Sequence, residues 1–134
     1  MQRRVHHLDT RDQRVTDITG WCAAFAAEQG GDGLLHVFLP HATAGLALLE
    51  VGAGSDEDLA AHLDALLPRD DRWRHRHGSA GHGADHVLPA FVSPALTLAV
   101  DDGRLVLGTW QSVVVVDANV DNPHRSVELR FLAG

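Results

Sequence analysis

Lysine and tyrosine do not occur in this chain, and cysteine occurs once. Without lysine there is no amine for a Schiff base, for anchoring pyridoxal phosphate or for a phosphate-binding P-loop. Cys22 alone cannot form an intrachain disulfide, and the amino-terminal Met1-Gln2-Arg3-Arg4-Val5-His6 lacks the apolar stretch of a secretory signal. A reducing, cytoplasmic setting is the expectation. Cys22 falls among Trp21, Ala23 and Ala24 on an expected helix, where a buried, inert thiol is a simpler reading than a catalytic thiolate. No apolar run approaches the roughly 18 residues of a membrane span. Positive charge is scarce too, 11 arginines against 18 acidic residues for a formal net charge of −7. That sign repels polyanions and disfavours general binding to nucleic acid or to an anionic membrane.

Histidine is what the chain has in excess. Ten imidazoles stand among 134 residues, enough to move the formal charge from −7 to +3 if all were protonated, so function is sought there first. With 45% apolar and 22% charged residues, the composition fits one ordinary folded domain over residues 1–134.

The apolar pattern predicts an α+β domain of six or seven strands and two or three helices. Residues 3–8 read as a first strand. Asp17-Ile18-Thr19 supplies an N-cap for an alanine-rich helix that Gly30-Gly31-Asp32-Gly33 stops. Leu34–Leu39 and Ala44–Leu49 read as a pair of buried strands joined at Pro40-His41. Ser55-Asp56-Glu57-Asp58 resembles a capping box, and Leu59, Leu63, Leu66 and Leu67 form a stripe at helical spacing that Pro68 ends. Leu96–Val100 and Arg104–Leu107 flank Asp101-Asp102-Gly103 as a tight hairpin; Val113–Val116 and Val127–Leu132 are further strands. In the last, Val127, Leu129 and Phe131 alternate with Ser126, Glu128 and Arg130, so one face is wet or meets a partner. The 17 residues from Arg69 to Asp85 show no apolar period and exceed the roughly 12–15 that compact domains leave unstructured. They read as a functional or disordered loop.

His41 opens the small-residue stretch Ala42-Thr43-Ala44-Gly45, and the long loop adds His75, His77, His82 and His86. Three neutral imidazoles with an open fourth position suit zinc and would activate a water, although no compact motif such as H-E-x-x-H occurs. His82 and His86 would share one face if that stretch is helical. The competing reading is a solvated loop. For His6, His7, His36 and His62 a structural role dominates. Arg69, Arg72, Arg74 and Arg76 surround Trp73 and could hold a phosphate, or Trp73 tucks into the core and the arginines are solvated. Glu50 at a strand end is a general-base candidate, and Gln111 after Trp110 could orient a ligand.

His41-Ala42-Thr43-Ala44-Gly45-Leu46 with Glu50, then Trp73-Arg74-His75 and His86, then Asp102-Gly103-Arg104-Leu105-Val106-Leu107-Gly108-Thr109-Trp110-Gln111, resemble in the same order the YjbQ family, often labelled secondary thiamine-phosphate synthase. The resemblance covers nearly the whole chain. It implies a two-layer α/β sandwich around a mixed, largely antiparallel sheet, assembled as a homotrimer, with a divalent metal such as zinc on His41, His75 and His86. It further implies Glu50 and Gln111 as catalytic residues and Thr43, Arg74, Trp110 and Arg125 as contacts to a small anionic or phosphorylated substrate. His77 and His82 then fall to surrounding positions. Leu49 replaces a usual asparagine, and an arginine run near the end is reduced to Arg125. The implied reaction joins a pyrimidine diphosphate to a thiazole phosphate with release of pyrophosphate. A metal-dependent hydrolase of a phosphate ester or amide, and a non-catalytic trimer binding metal or anion, are the alternatives; His82 as a fourth ligand would favour the latter.

Overall fold

The structure is a computed structural model that describes all residues, Met1–Gly134. Its eight strands are β1 (Gln2–Asp9), β2 (Val15–Asp17), β3 (Gly33–Phe38), β4 (Gly45–Leu49), β5 (Ala95–Asp101), β6 (Arg104–Leu105), β7 (Ser112–Val116) and β8 (His124–Ala133). The helices are α1 (Thr19–Gln29), α2 (Ser55–Leu66) and α3 (His82–Val87), the last running into a 3₁₀ turn at Leu88–Ala90. The α+β class stands. In place of one mixed sheet the strands form two, ordered β1-β8-β3-β5-β6 and β2-β7-β4, and every ladder is antiparallel. β3 and β4 do not pair with each other: β3 lies between β8 and β5, whereas β4 pairs with β7 in the other sheet. A run that is apolar throughout marks burial and leaves the pairing partner open, which is why the two looked like neighbours in sequence.

Strand β7 shows how the layers stack. Val113 and Val115 face the main core with Leu35, Val37, Leu98, Val127, Leu129 and the Cys22, Phe25 and Ala26 face of α1. Val114 and Val116 face a second core with Leu67, Ala84, Leu88 and Val92. All four are buried, so the strand reads as unbroken valine, because β-branched residues fill a pleat covered on both sides. The small sheet is thereby sandwiched between the large sheet with α1 and the layer of α2 and α3. The Cys22 thiol has no exposed surface, and burial pushes its pKa up to about 12, leaving it an inert core residue.

Local signals acted with small displacements. Asp17 Oδ1 accepts from the Thr19 amide at 2.9 Å and the Thr19 hydroxyl at 2.6 Å, while Ile18 holds the cap position with no side-chain bond. At α2 the cap is Gly54 at φ 104°, not Ser55, so the capping box is not formed; Asp56, Glu57 and Asp58 instead place negative charge on the first turn. Leu67 is buried, Leu59 and Leu63 pack beneath the helix, and Leu66 turns outward. Asp102 at φ 47° and Gly103 at φ 74° make the hairpin turn with both central residues at positive φ that matches strand twist. The segment predicted as a 17-residue loop ends earlier, because His82 begins α3.

Candidate metal centre

α3 is short, and its work is to place two histidines. His82 and His86 are four residues apart and share a face, with their Nε2 atoms 3.1 Å from one another. His75 comes from the preceding loop, its ring centroid 3.9 Å from that of His86 and 5.2 Å from that of His82. One nitrogen from each of His75, His82 and His86 lies within 4.8 Å of the others. Nitrogens on a tetrahedral zinc sit roughly 3.3 Å apart, given Zn–N near 2.0–2.1 Å, so this donor set fits a small divalent cation after modest ring rotation. His77 packs at the rim with its ring tilted, 4.2 Å from His75 and 4.7 Å from His82 between centroids, without joining the converging group.

Two devices hold the loop against α3. Trp73 donates its indole N–H to the Pro68 carbonyl at 2.8 Å and packs on the second core, so it is the tucked-in tryptophan and not a stacking platform. Gly83 has no side chain where the loop crosses: a Cβ there would lie 2.5 Å from the His75 carbonyl oxygen and 2.5 Å from Trp73 Cβ. Gly83→Ala is therefore expected to push His75 off the cluster and, for a metal held there, to weaken its binding about tenfold or more while the fold survives. Isothermal titration of the metal-free variant checks this; unchanged affinity would contradict the assigned role of the crossing.

Two of the imidazoles are biased toward the neutral form, the form that can ligate a metal. Desolvation first, then the neighbouring imidazoles, lower the pKa of His75 and of His86, so neutral rings persist to more acid pH than for a free histidine. His82 Nδ1 is 2.8 Å from Asp121 Oδ2. Around the cluster, Arg72 is engaged with Asp70, and Arg69 makes a two-pronged bond to buried Asp85 at 2.6 and 3.2 Å. Arg74 is exposed and forms no ion pair, which leaves it free for an anion.

The other expected site residues lie elsewhere. His41 lies in the β3–β4 connection beside the start of β8, its Nε2 accepting the Ser126 amide at 2.9 Å, and burial and the Arg125 charge lower its pKa. That nitrogen is occupied, and the ring is not part of the converging group, whose third member is His82. Arg125 and Thr43 are buried and joined: Arg125 donates to the Thr43 hydroxyl at 2.8 Å and to both Asp117 oxygens at 2.7 and 3.1 Å. Both side chains are thus buried and committed to one another and to Asp117. Glu50 and Gln111 sit at one end of the small sheet, since Leu49 opposes Ser112, whereas Gly45 opposes Val116 at the end that leads to Asp117 and the histidines. Five strand residues separate the two ends by about 17 Å. Gln111 accepts the Gly108 amide at 2.8 Å and closes its own turn, and Trp110 is largely exposed beside it. Within one chain this pair does not reach the histidine cluster. Asp117, Asn119 and Asp121, which do connect to it, escaped the sequence reading; the polar alternation of Asp117-Ala118-Asn119-Val120-Asp121-Asn122 directly after a buried strand was the available signal.

Residues 4–134 match the family described as UPF0047 protein YjbQ-like. The chain belongs to the YjbQ family. It is 58% identical over 134 residues to UPF0047 protein Rv2556c of Mycobacterium tuberculosis, covering both chains completely. Against UPF0047 protein YugU of Bacillus subtilis identity is 34% over 110 residues, 78% of this chain and 79% of that one. Among solved structures, the hypothetical protein APE1520 of Aeropyrum pernix superposes over the whole of both chains with a TM-score of 0.89 at 28% identity. The YjbQ fold expected from the motifs is thus the one observed. No helix is long and apolar enough to cross a membrane.

Proposed function

We propose that this YjbQ protein is a metal-dependent enzyme, of zinc type, whose three-histidine centre hydrolyses a small phosphorylated or otherwise anionic substrate. The observation that carries the reading is the convergence of His75, His82 and His86 on one point at a partly exposed rim. A divalent ion held there would supply Lewis acidity to a phosphoryl or carbonyl oxygen and acidify water. Arg74 is available to hold an anionic group, and His77 is close enough to accept or return a proton. The secondary thiamine-phosphate synthase reading is the less favoured one in a single chain, because Glu50 and Gln111 lie far from the histidines.

Two further expectations accompany the reading. The outer face of the large sheet carries an uncovered apolar row, Leu132, Leu34 and Ala99 across β8, β3 and β5, continued by Val106 just past β6. Such a row favours burial against further copies of the chain, consistent with a homotrimer, and sedimentation of a single-chain mass would refute it. The lone buried thiol and the absence of a membrane-length helix suit a cytoplasmic protein.

X-ray absorption at the metal edge, together with turnover, tests the function. Three imidazole nitrogens plus one oxygen, with metal-dependent release of phosphate from small phosphate esters, is the expected result. Four nitrogens and no turnover would mean that His77 closes the site and the protein only binds. Formation of thiamine phosphate from a pyrimidine diphosphate and a thiazole phosphate, without hydrolysis, would replace the hydrolase by the transferase.

A further inference from the structure

A histidine that ligates a metal needs its second ring nitrogen held, since that bond fixes which nitrogen keeps the proton. His82 is the one member of the cluster with such a partner. Asp121 Oδ2 lies 2.8 Å from its Nδ1, leaving Nε2 turned toward His86. The carboxylate is itself held: Ser79 donates its hydroxyl at 2.7 Å to Oδ1 and its amide at 3.0 Å to Oδ2, and these bonds, ahead of the one with His82, lower the pKa of Asp121. Gly78, at φ 79°, clears the approach, because a Cβ there would be 2.6 Å from Asp121 Oδ2.

Asn119 anchors this arrangement from beneath. Its side-chain oxygen accepts the amides of Asp121 at 3.1 Å and Asn122 at 2.8 Å, which fixes the amide orientation, and its Nδ2 donates to Asp85 Oδ2 at 2.9 Å. Its own backbone amide donates to Asp117 Oδ1 at 2.9 Å, the carboxylate paired with Arg125. A continuous set of hydrogen bonds therefore runs from Thr43 and Arg125 through Asp117 and Asn119 to Asp121 and His82. Since Nδ2 is a donor, its 3.3 Å approach to His82 Nδ1 is not what orients the ring; the acceptor on that side is Asp121.

We propose that Asp121 is a positioning residue for the metal centre: it holds His82 with the proton on Nδ1 and the Nε2 lone pair presented to the metal, and the Thr43–Arg125–Asp117–Asn119 network serves to hold Asp121 in place. This assigns to Arg125 and Thr43 an action through other residues in place of contact with substrate. The proposal rests on the metal-centre reading only for its consequence in affinity; the protonation site of His82 is a property of the metal-free chain.

The test compares wild type, Asp121→Ala and Asp121→Asn as full chains. Ring-nitrogen chemical shifts of His82, assigned by their loss in His82→Ala, give the tautomer in metal-free protein, and zinc titration against a chelator gives affinity. Wild type is expected in the Nδ1–H form. Asp121→Ala, with its thermal transition retained, should lose that preference and bind zinc about 10–100-fold more weakly. Asp121→Asn keeps an acceptor oxygen and should restore the tautomer and most of the affinity. A wild-type Nε2–H tautomer, or a folded Asp121→Ala that keeps either the wild-type tautomer or the wild-type affinity, overturns the proposal. If no variant and no wild type binds zinc, the function reading fails, and the tautomer comparison alone decides whether Asp121 positions His82.

Discussion

Arg125→Ala is expected to lower the thermal midpoint by about 10–20 °C, the largest loss from any single change at an expected substrate contact. The guanidinium is almost wholly buried and paired with Asp117, which is itself fully enclosed. Removing one partner leaves an uncompensated charge in the interior, which costs about 3–5 kcal/mol, and in a domain of this size each kcal/mol moves the midpoint by about 3–5 °C. Asp117 would retain the Thr10 hydroxyl at 2.6 Å and the Asn119 amide, so the loss is not cushioned by a new cation. Replacing both partners by apolar residues of similar volume should recover much of the midpoint, since a well-packed apolar pair often matches a buried ion pair. Calorimetry on the single and double variants checks this. A single variant that melts with the wild type would mean that Arg125 is free for a ligand after all.

The alternation in β8 already contained this result. Arg125 is in phase with Val127, Leu129 and Phe131, so the strand's period of two puts it on the core face. The anion contact that the family resemblance implies at Arg125 takes no account of this phase. The strands, the α1 and α2 helices, the β5–β6 turn and the inert thiol were legible because each is written locally, by period, cap or φ-permissive residue. Which strands pair was not, because β3 and β4 are both plain apolar runs and their partners are far along the chain. At the centre, His75 and His86 were legible as loop histidines, and the four-residue spacing of His82 and His86 as a shared helical face. The resemblance implies His41 as the third member; within the chain it is His82, where α3 begins, that converges with His75 and His86, and His41 spends Nε2 on the backbone of Ser126. The polar alternation after β7 marks Asn119 and Asp121 as candidates, but their partners His82 and Asp85 lie on α3, far along the chain, so the pattern does not say what they contact.

The second large effect separates these two histidines. His82→Ala removes a nitrogen that faces His86 and is backed by a carboxylate, and should weaken zinc binding by at least about 100-fold. His41→Ala removes a ring outside the converging group and should leave affinity within about threefold, while costing stability through the unpaired Ser126 amide. Both proteins must be untagged, since added histidines would bind the metal themselves. The measurement to make is elemental analysis with zinc titration of wild type, His82→Ala and His41→Ala, purified without chelator. Near-stoichiometric metal in wild type and in His41→Ala, lost in His82→Ala, is the predicted result; equal metal in wild type and His82→Ala, or metal lost only with His41, would contradict the three-histidine centre described for this chain.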